Sequence, residues 1–145
     1  AALKAIYFAD KEHLRLYGRQ MFNEQYAALE FGPTPSALYD FVKRARGEQE
    51  KWFSQEQSNA ILDALAATKR TINAKRVPKL DFLSISEIQC LDYGLMIVAS
   101  KNMDQIIAHS HDPAYEKTNR NCMISLDDII GTLPNAELVM EYLKG

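Results

Sequence analysis

The sequence lacks the features of a membrane or secreted protein. No apolar run is long enough to cross a bilayer, and the chain does not open with a basic segment followed by an apolar one. Its two cysteines, Cys90 and Cys122, have no CxxC spacing, so reduced thiols are favoured over a disulfide framework. These features predict a cytoplasmic protein.

The chain also lacks an excess of charge of either sign. Lys and Arg number 17 against 19 Asp and Glu, which gives a formal net charge of −2. A chain so balanced has no global attraction for nucleic acid or for an anionic membrane. We therefore expect neither as a partner.

Nothing in the sequence divides the chain into parts, because it has no low-complexity segment and no fixed repeat. At 145 residues and 47% hydrophobic content it has the size of one ordinary domain. We expect a single domain over residues 1–145. Since the chain begins without Met and already inside a helical pattern, we also expect native residues ahead of Ala1.

The segment 26–40 combines a strand, a turn and a helix start. Residues 26–31 are rich in aromatic and aliphatic side chains and favour an extended segment. We predict that the glycine and prolines that follow end this segment, that Thr34 caps a helix and that Pro35 occupies its first turn. The helix should end before Gly47. The residues of the turn motif are Gly32, Pro33, Pro35 and Ser36.

The first helix carries an acid and an imidazole on its apolar side. Asp10 lies at the centre of the apolar stripe and His13 at its edge. The favoured interpretation is structural: Asp10 accepts hydrogen bonds from the start of the Thr34 helix, and His13 is a second tie. The alternative is an acid/base pair in a small hydrolase. It is disfavoured because no nucleophile, glycine-rich phosphate loop or metal-ligand spacing accompanies the pair.

Capping signals predict most of the remaining helices. The predicted helix-capping residues are Ser54, Ser84, Asn102, Asp112 and Ser125. The helix after Ser84 is the candidate for the central core helix, and its predicted inward stripe is Ile88, Leu91, Leu95 and Val98. A last helix is predicted over residues 135–144. The fold class is therefore mainly α, with about seven helices and small β elements around 20–31 and 70–82.

Two surface features are ambiguous on sequence alone. Trp52 and Phe53 are either a partner anchor or part of the core, and the core is favoured because the short helix after them needs a packing surface. Residues 69–79 carry five cations and no acid. A solvated strand or loop is the favoured interpretation, since no aromatic residues interleave the cations for base stacking. Steering of an acidic protein partner is a further alternative.

A metal site is weakly supported. The residue types of Cys90, Cys122, His109 and His111 suit zinc, but the gaps between them are long. Two histidines at i and i+2 do not share a helix face either. We expect no metal and no cofactor.

The order of several short motifs resembles a known family. Residues 6–19, IYFADKEHLRLYGR, and residues 26–36, YAALEFGPTPS, resemble two characteristic segments of the Panacea domain, the SocA-like antitoxin family of bacteria and phages. The resemblance continues at residues 83–88 and at Ser110-His111, and it is weakest between about 47 and 78. The chain departs from the family at residues 23–25, where a Gly-Asp pair is common, and at Tyr115, where Trp is common.

The resemblance implies an antitoxin that neutralises a cognate protein toxin by direct binding, without catalysis. One branch of the family is thought to act as a proteolytic adaptor, which stays an alternative beside the hydrolase and a DNA-binding autoregulator. His111 is interpreted as a structural tie between helices. A homo-oligomer stays open. The candidate partner surface, which the family pattern does not assign, consists of Trp52, Phe53, Arg70, Lys75 and Arg76.

Overall fold

The computed structural model describes residues 1–48 and 52–145. In this part the chain is mainly α, as predicted, with eight helices and two antiparallel two-stranded sheets. The expected total of about seven helices is one too low. The helices are α1 (Ala2–Tyr17), α2 (Ser36–Ala45), α3 (Gln55–Ala64), α4 (Ile85–Ala99), α5 (Met103–Ser110), α6 (Pro113–Glu116), α7 (Leu126–Gly131) and α8 (Ala136–Lys144). The strands are β1 (Tyr26–Leu29), β2 (Gly32–Pro35), β3 (Leu65–Ala67) and β4 (Ile72–Ala74).

The described residues form two compact units. The first unit comprises Ala1–Ser36 and Leu83–Gly145, and the second comprises Ala37–Phe82. The expectation of a single domain stays a prediction. None of the described helices combines the length and the apolarity that a membrane crossing requires.

The core of the first unit lies around α1. This helix ends at Gly18, which adopts a left-handed conformation (φ 71°) and donates its N–H to the Leu14 carbonyl. Tyr7, Phe8 and Leu14 are buried on its inner face. The rest of the main core comes from the hairpin and the C-terminal helices: Tyr26, Ala28, Ile97, Ile106, Ala114, Tyr115, Ile124, Ile129, Ile130, Leu133 and Val139.

α4 packs through a different stripe from the predicted one. Its buried residues are Cys90, Gly94 and Ile97, whereas Leu95 is 52% exposed. The predicted inward stripe is therefore wrong at Leu95. Small side chains at 90 and 94 let α4 approach the alanine-rich face of α1 more closely than large ones would.

The turn motif lies in a hairpin. β1 and β2 pair with Leu29 opposite Gly32, so residues 30 and 31 form the turn. The turn was predicted at the glycine and proline that follow, residues 32 and 33. In an antiparallel pair, only every second residue of a strand donates its N–H to the partner strand. The prolines at 33 and 35 are two residues apart, so both can occupy positions where no N–H to β1 is needed, and the pairing need not be interrupted. Thr34 lies in β2 and donates its hydroxyl to the Gly32 carbonyl (3.2 Å), and α2 begins at Ser36. The predicted Thr34 cap stays a prediction.

The other edge of β1 is also occupied. Ala28 donates its N–H to the Cys122 carbonyl (2.9 Å) and accepts from the N–H of Asn121 (2.8 Å). Ile124 donates to the Tyr26 carbonyl (2.8 Å). β1 is thus held on both sides, which fixes the segment that carries Tyr26.

The second unit contains most of α2, all of α3 and the hairpin of β3 and β4. Phe53 packs on Phe41 with ring centroids 5.6 Å apart, and the Ser54 capping box of α3 is present as predicted. Trp52 is 63% exposed, so the expectation that it joins the core is wrong. The β element expected around 70–82 is a hairpin that begins earlier, at residue 65.

Candidate functional site

Asp10 is the centre of a buried polar network in the first unit. Its side chain is 2% exposed. Oδ1 accepts the backbone N–H of Met21 (2.8 Å), and Oδ2 accepts from the Tyr26 hydroxyl (2.9 Å) and the Gln20 amide (3.4 Å). These donors come from the segment after α1 and from β1. The prediction that the start of the next helix supplies them is wrong, because that helix begins beyond β2.

The surroundings of Asp10 act on its charge in opposite directions. Burial raises the pKa of the Asp10 carboxyl, and the hydrogen bonds from Met21, Tyr26 and Gln20 partly offset this effect. Burial, followed by the negative charge of Asp10, raises the pKa of the Tyr26 hydroxyl. Tyr26 therefore stays protonated and serves as a donor to Asp10.

His13 is fully buried and has different partners from Asp10. Its Nδ1 lies 2.7 Å from the Arg19 carbonyl oxygen, so Nδ1 carries the hydrogen of this bond. Nε2 has no hydrogen-bond partner among the described residues. The ring packs against Tyr17, with centroids 4.8 Å apart. His13 thus holds the chain that leaves α1, next to the segment that Asp10 holds.

An open pocket of the first unit lies away from Asp10 and His13. It has a volume of about 360 Å³, and its walls include Phe8, Lys11, Glu12, Arg15, Tyr93 and His109. Asp10 and His13 are not among the described residues that line it. A hydrolase built on this pair would require both groups in a cleft that substrate can reach.

Asp112, predicted from the sequence only as a helix cap, is a second polar centre. Its Oδ1 accepts the backbone N–H of Tyr115 (3.0 Å) at the start of α6, as predicted. Its Oδ2 accepts from the Tyr7 hydroxyl (2.6 Å) and from the Lys11 ammonium (2.9 Å). Burial and the nearby carboxylate raise the pKa of Tyr7. Asp112 therefore ties α6 to α1.

Tyr115 connects α6 to the hairpin. Its hydroxyl donates to the Leu29 carbonyl (2.5 Å), which also accepts from the Arg120 guanidinium (2.8 Å). Arg120 lies over the Tyr115 ring, 4.7 Å from its centroid. His111 stacks on the Tyr115 ring at 4.3 Å, and its Nε2 has no hydrogen-bond partner within the described chain. His111 thus lies at the junction of α5 and α6.

Gly32 sits where three side chains converge. It adopts φ 117°, and a Cβ at this position would lie 2.6 Å from Ser110 Oγ, 3.2 Å from Lys4 Cε and 3.3 Å from His111 Cδ2. Lys4 is 8% exposed and donates to the Pro33 carbonyl (3.3 Å). Burial lowers the pKa of Lys4 to about 8. The turn motif therefore takes part in the same packed region as His111.

The residues considered for zinc do not form a metal site. In residues 1–48 and 52–145 no three His, Cys, Asp or Glu side chains are grouped so that they could hold a metal ion. Cys90 is buried against α1, while Cys122 is exposed.

The basic run lies on the hairpin of the second unit and on the segment after it. We name residues 68–82 the basic arm. The Thr68 N–H donates to the Thr71 carbonyl (2.9 Å), so Lys69 and Arg70 occupy the hairpin turn. Lys75 donates to the Leu62 carbonyl (2.6 Å) near the end of α3. Of the candidate partner residues, Lys75 is therefore engaged within its own unit, and Phe53 packs on Phe41.

The sequence pattern alone does not identify four members of the polar and close-packed regions: Tyr7, Tyr26, Lys4 and Gly94. A signal was present for the tyrosines, because a tyrosine on an apolar stripe needs a partner for its buried hydroxyl. No comparable signal existed for Lys4 or Gly94. Their roles depend on which elements meet in space.

In the part of the chain that the structure describes, this is a small, mainly helical protein. Comparison with known families identifies the family to which it belongs. Residues 3–116 match the family model described as Antitoxin SocA-like, Panacea domain. The chain belongs to this family, as its motifs predicted. The match runs from α1 to the end of α6 and so includes residues of both units. No curated protein and no solved structure matches the chain.

Proposed function

We propose that this protein is an antitoxin that neutralises a cognate protein toxin by direct binding. The observation that carries the proposal is membership of the SocA-like antitoxin family over residues 3–116. The buried position of Asp10 and His13 supports it, because both groups are occupied in holding the chain after α1. On this proposal the protein acts as a single cytoplasmic domain, and the residues at its surface carry its function by binding the toxin.

The alternatives have less support. The hydrolase would need Asp10 and His13 in a cleft that substrate can reach, whereas both side chains are buried. The DNA-binding autoregulator would need the basic run beside an exposed recognition helix, whereas the run lies on a hairpin and the segment after it. A proteolytic adaptor also binds the toxin, so it differs from the main proposal in the fate of the toxin.

The test is co-expression with the product of the neighbouring gene, in cells where that product alone arrests growth. We expect growth to be rescued and a stoichiometric complex to be recovered by affinity purification. The toxin level should stay constant after synthesis is stopped. Rescue with falling toxin levels would favour the adaptor.

An Asp10→Asn variant is the control for enzymatic action. It removes a carboxylate while keeping the shape of the side chain, so an antitoxin that acts by binding should still rescue growth if the variant folds. Rescue that disappears in a folded Asp10→Asn protein would contradict the proposal. A neighbouring product that is harmless, or growth that is not rescued, would remove its basis.

A further inference from the structure

The basic arm is the longest continuous exposed segment of the described chain. All fifteen of its residues, 68–82, are exposed. Its only regular element is β4, which pairs with β3 and leaves its outer edge without a partner strand in the described part. A two-stranded hairpin by itself contributes little stability. The arm therefore contributes little to the core.

The cations of the arm are concentrated and mostly unpaired. Within the described chain, the side chains of Lys69, Arg70, Arg76 and Lys79 have no hydrogen-bonding or ion-pair partner, whereas Lys75 bonds to Leu62. The arm also contains one acid, Asp81, and the remainder of the chain carries 12 Lys and Arg against 18 Asp and Glu, a net charge of −6. The arm is thus a positive segment on an otherwise acidic chain, and it selects an acidic partner surface.

Large apolar side chains accompany these cations. Phe82 is 92% exposed, Val77 is 87% exposed and Leu80 is 50% exposed. Exposed apolar residues next to charges are typical of interaction sites, in which an aromatic anchor fills a pocket and charges surround it.

We propose that the basic arm is the element that contacts the toxin, and that it binds an acidic protein surface with an apolar pocket for Phe82. The inference rests on the proposed antitoxin function and specifies the chemistry of the partner surface. Arg70 at the hairpin turn and Arg76 beyond β4 provide the charge contacts. Phe82 provides the anchor.

Protection of a strand edge and binding of nucleic acid would each account for only part of the arm. Cations beside an unpaired strand prevent edge-to-edge aggregation, but this role does not require Phe82, which lies well beyond β4. A nucleic acid would use the cations, but the net charge of −6 on the remainder of the chain would repel a long polyanion. An acidic protein surface accounts for both the cations and the apolar side chains.

The test is the affinity of the full chain for the purified toxin, measured by calorimetry, with two independent arm variants. Arg70→Glu/Arg76→Glu and Phe82→Ala should each weaken binding by at least about tenfold. The matched controls are Lys117→Glu/Lys144→Glu, with the same charge change in the first unit, and Leu138→Ala, at a side chain that is 64% exposed. Both controls should bind within about twofold of wild type. Thermal melting should be unchanged in the two arm variants and in Leu138→Ala, since each altered side chain is exposed. Lys117→Glu/Lys144→Glu loses a surface ion pair to Asp128 (3.6 Å) and should melt only slightly lower.

The outcomes separate the two proposals. If wild type binds the toxin and the arm variants bind equally well, the arm proposal is wrong and the antitoxin proposal stands. If wild type does not bind the toxin, the antitoxin proposal itself fails. Loss of binding in the controls to the same extent would attribute the effect to total charge and overturn the arm proposal. Retention of wild type on duplex DNA that the Arg70→Glu/Arg76→Glu variant loses, with toxin binding unchanged, would assign the arm to nucleic acid instead.

Discussion

Gly94 of α4 lies against Ala5 of α1 so closely that a Cβ at position 94 would overlap the Ala5 carbonyl oxygen. The same Cβ would lie 3.0 Å from the Cβ of Ala9. The two helices therefore meet backbone to backbone at this point, and the side chains on either side pack around the contact. Because α1 also carries Asp10, the contact helps to position the polar network.

The first prediction concerns this contact. Gly94→Ala should lower the free energy of unfolding by about 2 kcal/mol or more, because the added methyl group forces α4 away from α1. Gly131→Ala is the matched control, since it lies at the end of α7 and a Cβ there would meet nothing within 4 Å. The measurement is chemical denaturation of both variants. Equal stability of the two variants would show that α4 can move away without loss.

The packing face of α4 illustrates what the sequence could not predict. Its start at Ser84 follows from the capping box, and this prediction is confirmed. Hydropathy favoured Leu95 for the inner face, yet Gly94 is inside and Leu95 is half exposed. A helix that is apolar around much of its circumference does not identify its own inner face. The inner face is the one that fits against the small residues Ala5 and Ala9 of α1. The sequence of α4 by itself carries no information about these residues.

The second prediction concerns Asp10. Asp10→Ala should lower the free energy of unfolding by about 3 kcal/mol, because it leaves the Met21 N–H and the Tyr26 hydroxyl buried without an acceptor. Asp10→Asn should lower it by less than about 1.5 kcal/mol, since its oxygen still accepts from Met21 and the Tyr26 hydroxyl can accept from its amide. Denaturation at neutral pH measures both values.

Tyr26→Phe is the control that tests the network rather than the size of the side chain. It removes one donor to Asp10 and should lower the free energy of unfolding by about 1–2 kcal/mol. Combined with Asp10→Ala, its effect should largely vanish, because the two groups serve one bond. Additive losses would mean that Asp10 and Tyr26 contribute independently, against the structural role proposed for Asp10.

The polar network was predictable only in part. The apolar stripe of α1 indicated that Asp10 and His13 face inward, and both are buried. Their partners were not predictable, because the Met21 N–H is an ordinary backbone group in an irregular segment. The sequence marks the groups that need hydrogen bonds. It does not identify donors whose position depends on the path of the loop.

The third prediction concerns the pH dependence contributed by Lys4. Burial lowers the pKa of Lys4 from 10.5 to about 8, so the folded state binds this proton less tightly than the unfolded state. The stability that this group contributes is therefore complete above about pH 10.5 and is lost as the pH falls through about 8. Relative to Lys4→Met, the free energy of unfolding of wild type should rise by up to about 2 kcal/mol between pH 7 and 9.5.

The comparison with Lys4→Met isolates this effect from other groups. Tyr7 and Tyr26 have raised pKa values, so their contribution to stability is lost as the pH rises past the ordinary tyrosine pKa, in wild type and variant alike. Urea denaturation of both proteins across this range gives the difference. Parallel profiles would mean that the Lys4 ammonium titrates normally and reaches water.

The fourth prediction separates backbone strain from steric overlap at Gly32. Gly32 and Gly47 both have positive φ, 117° and 99°, so alanine is strained at either position. At Gly47 a Cβ would meet nothing within 4 Å, whereas at Gly32 it would lie 2.6 Å from Ser110 Oγ. Gly32→Ala should therefore cost about 1–3 kcal/mol more than Gly47→Ala in denaturation experiments. Adding Ser110→Ala should recover part of this excess, because it removes the overlapping hydroxyl. If Gly32→Ala and Gly47→Ala cost the same, the glycine would be required for its backbone conformation alone, and the close packing of the hairpin against Ser110 would not contribute to stability.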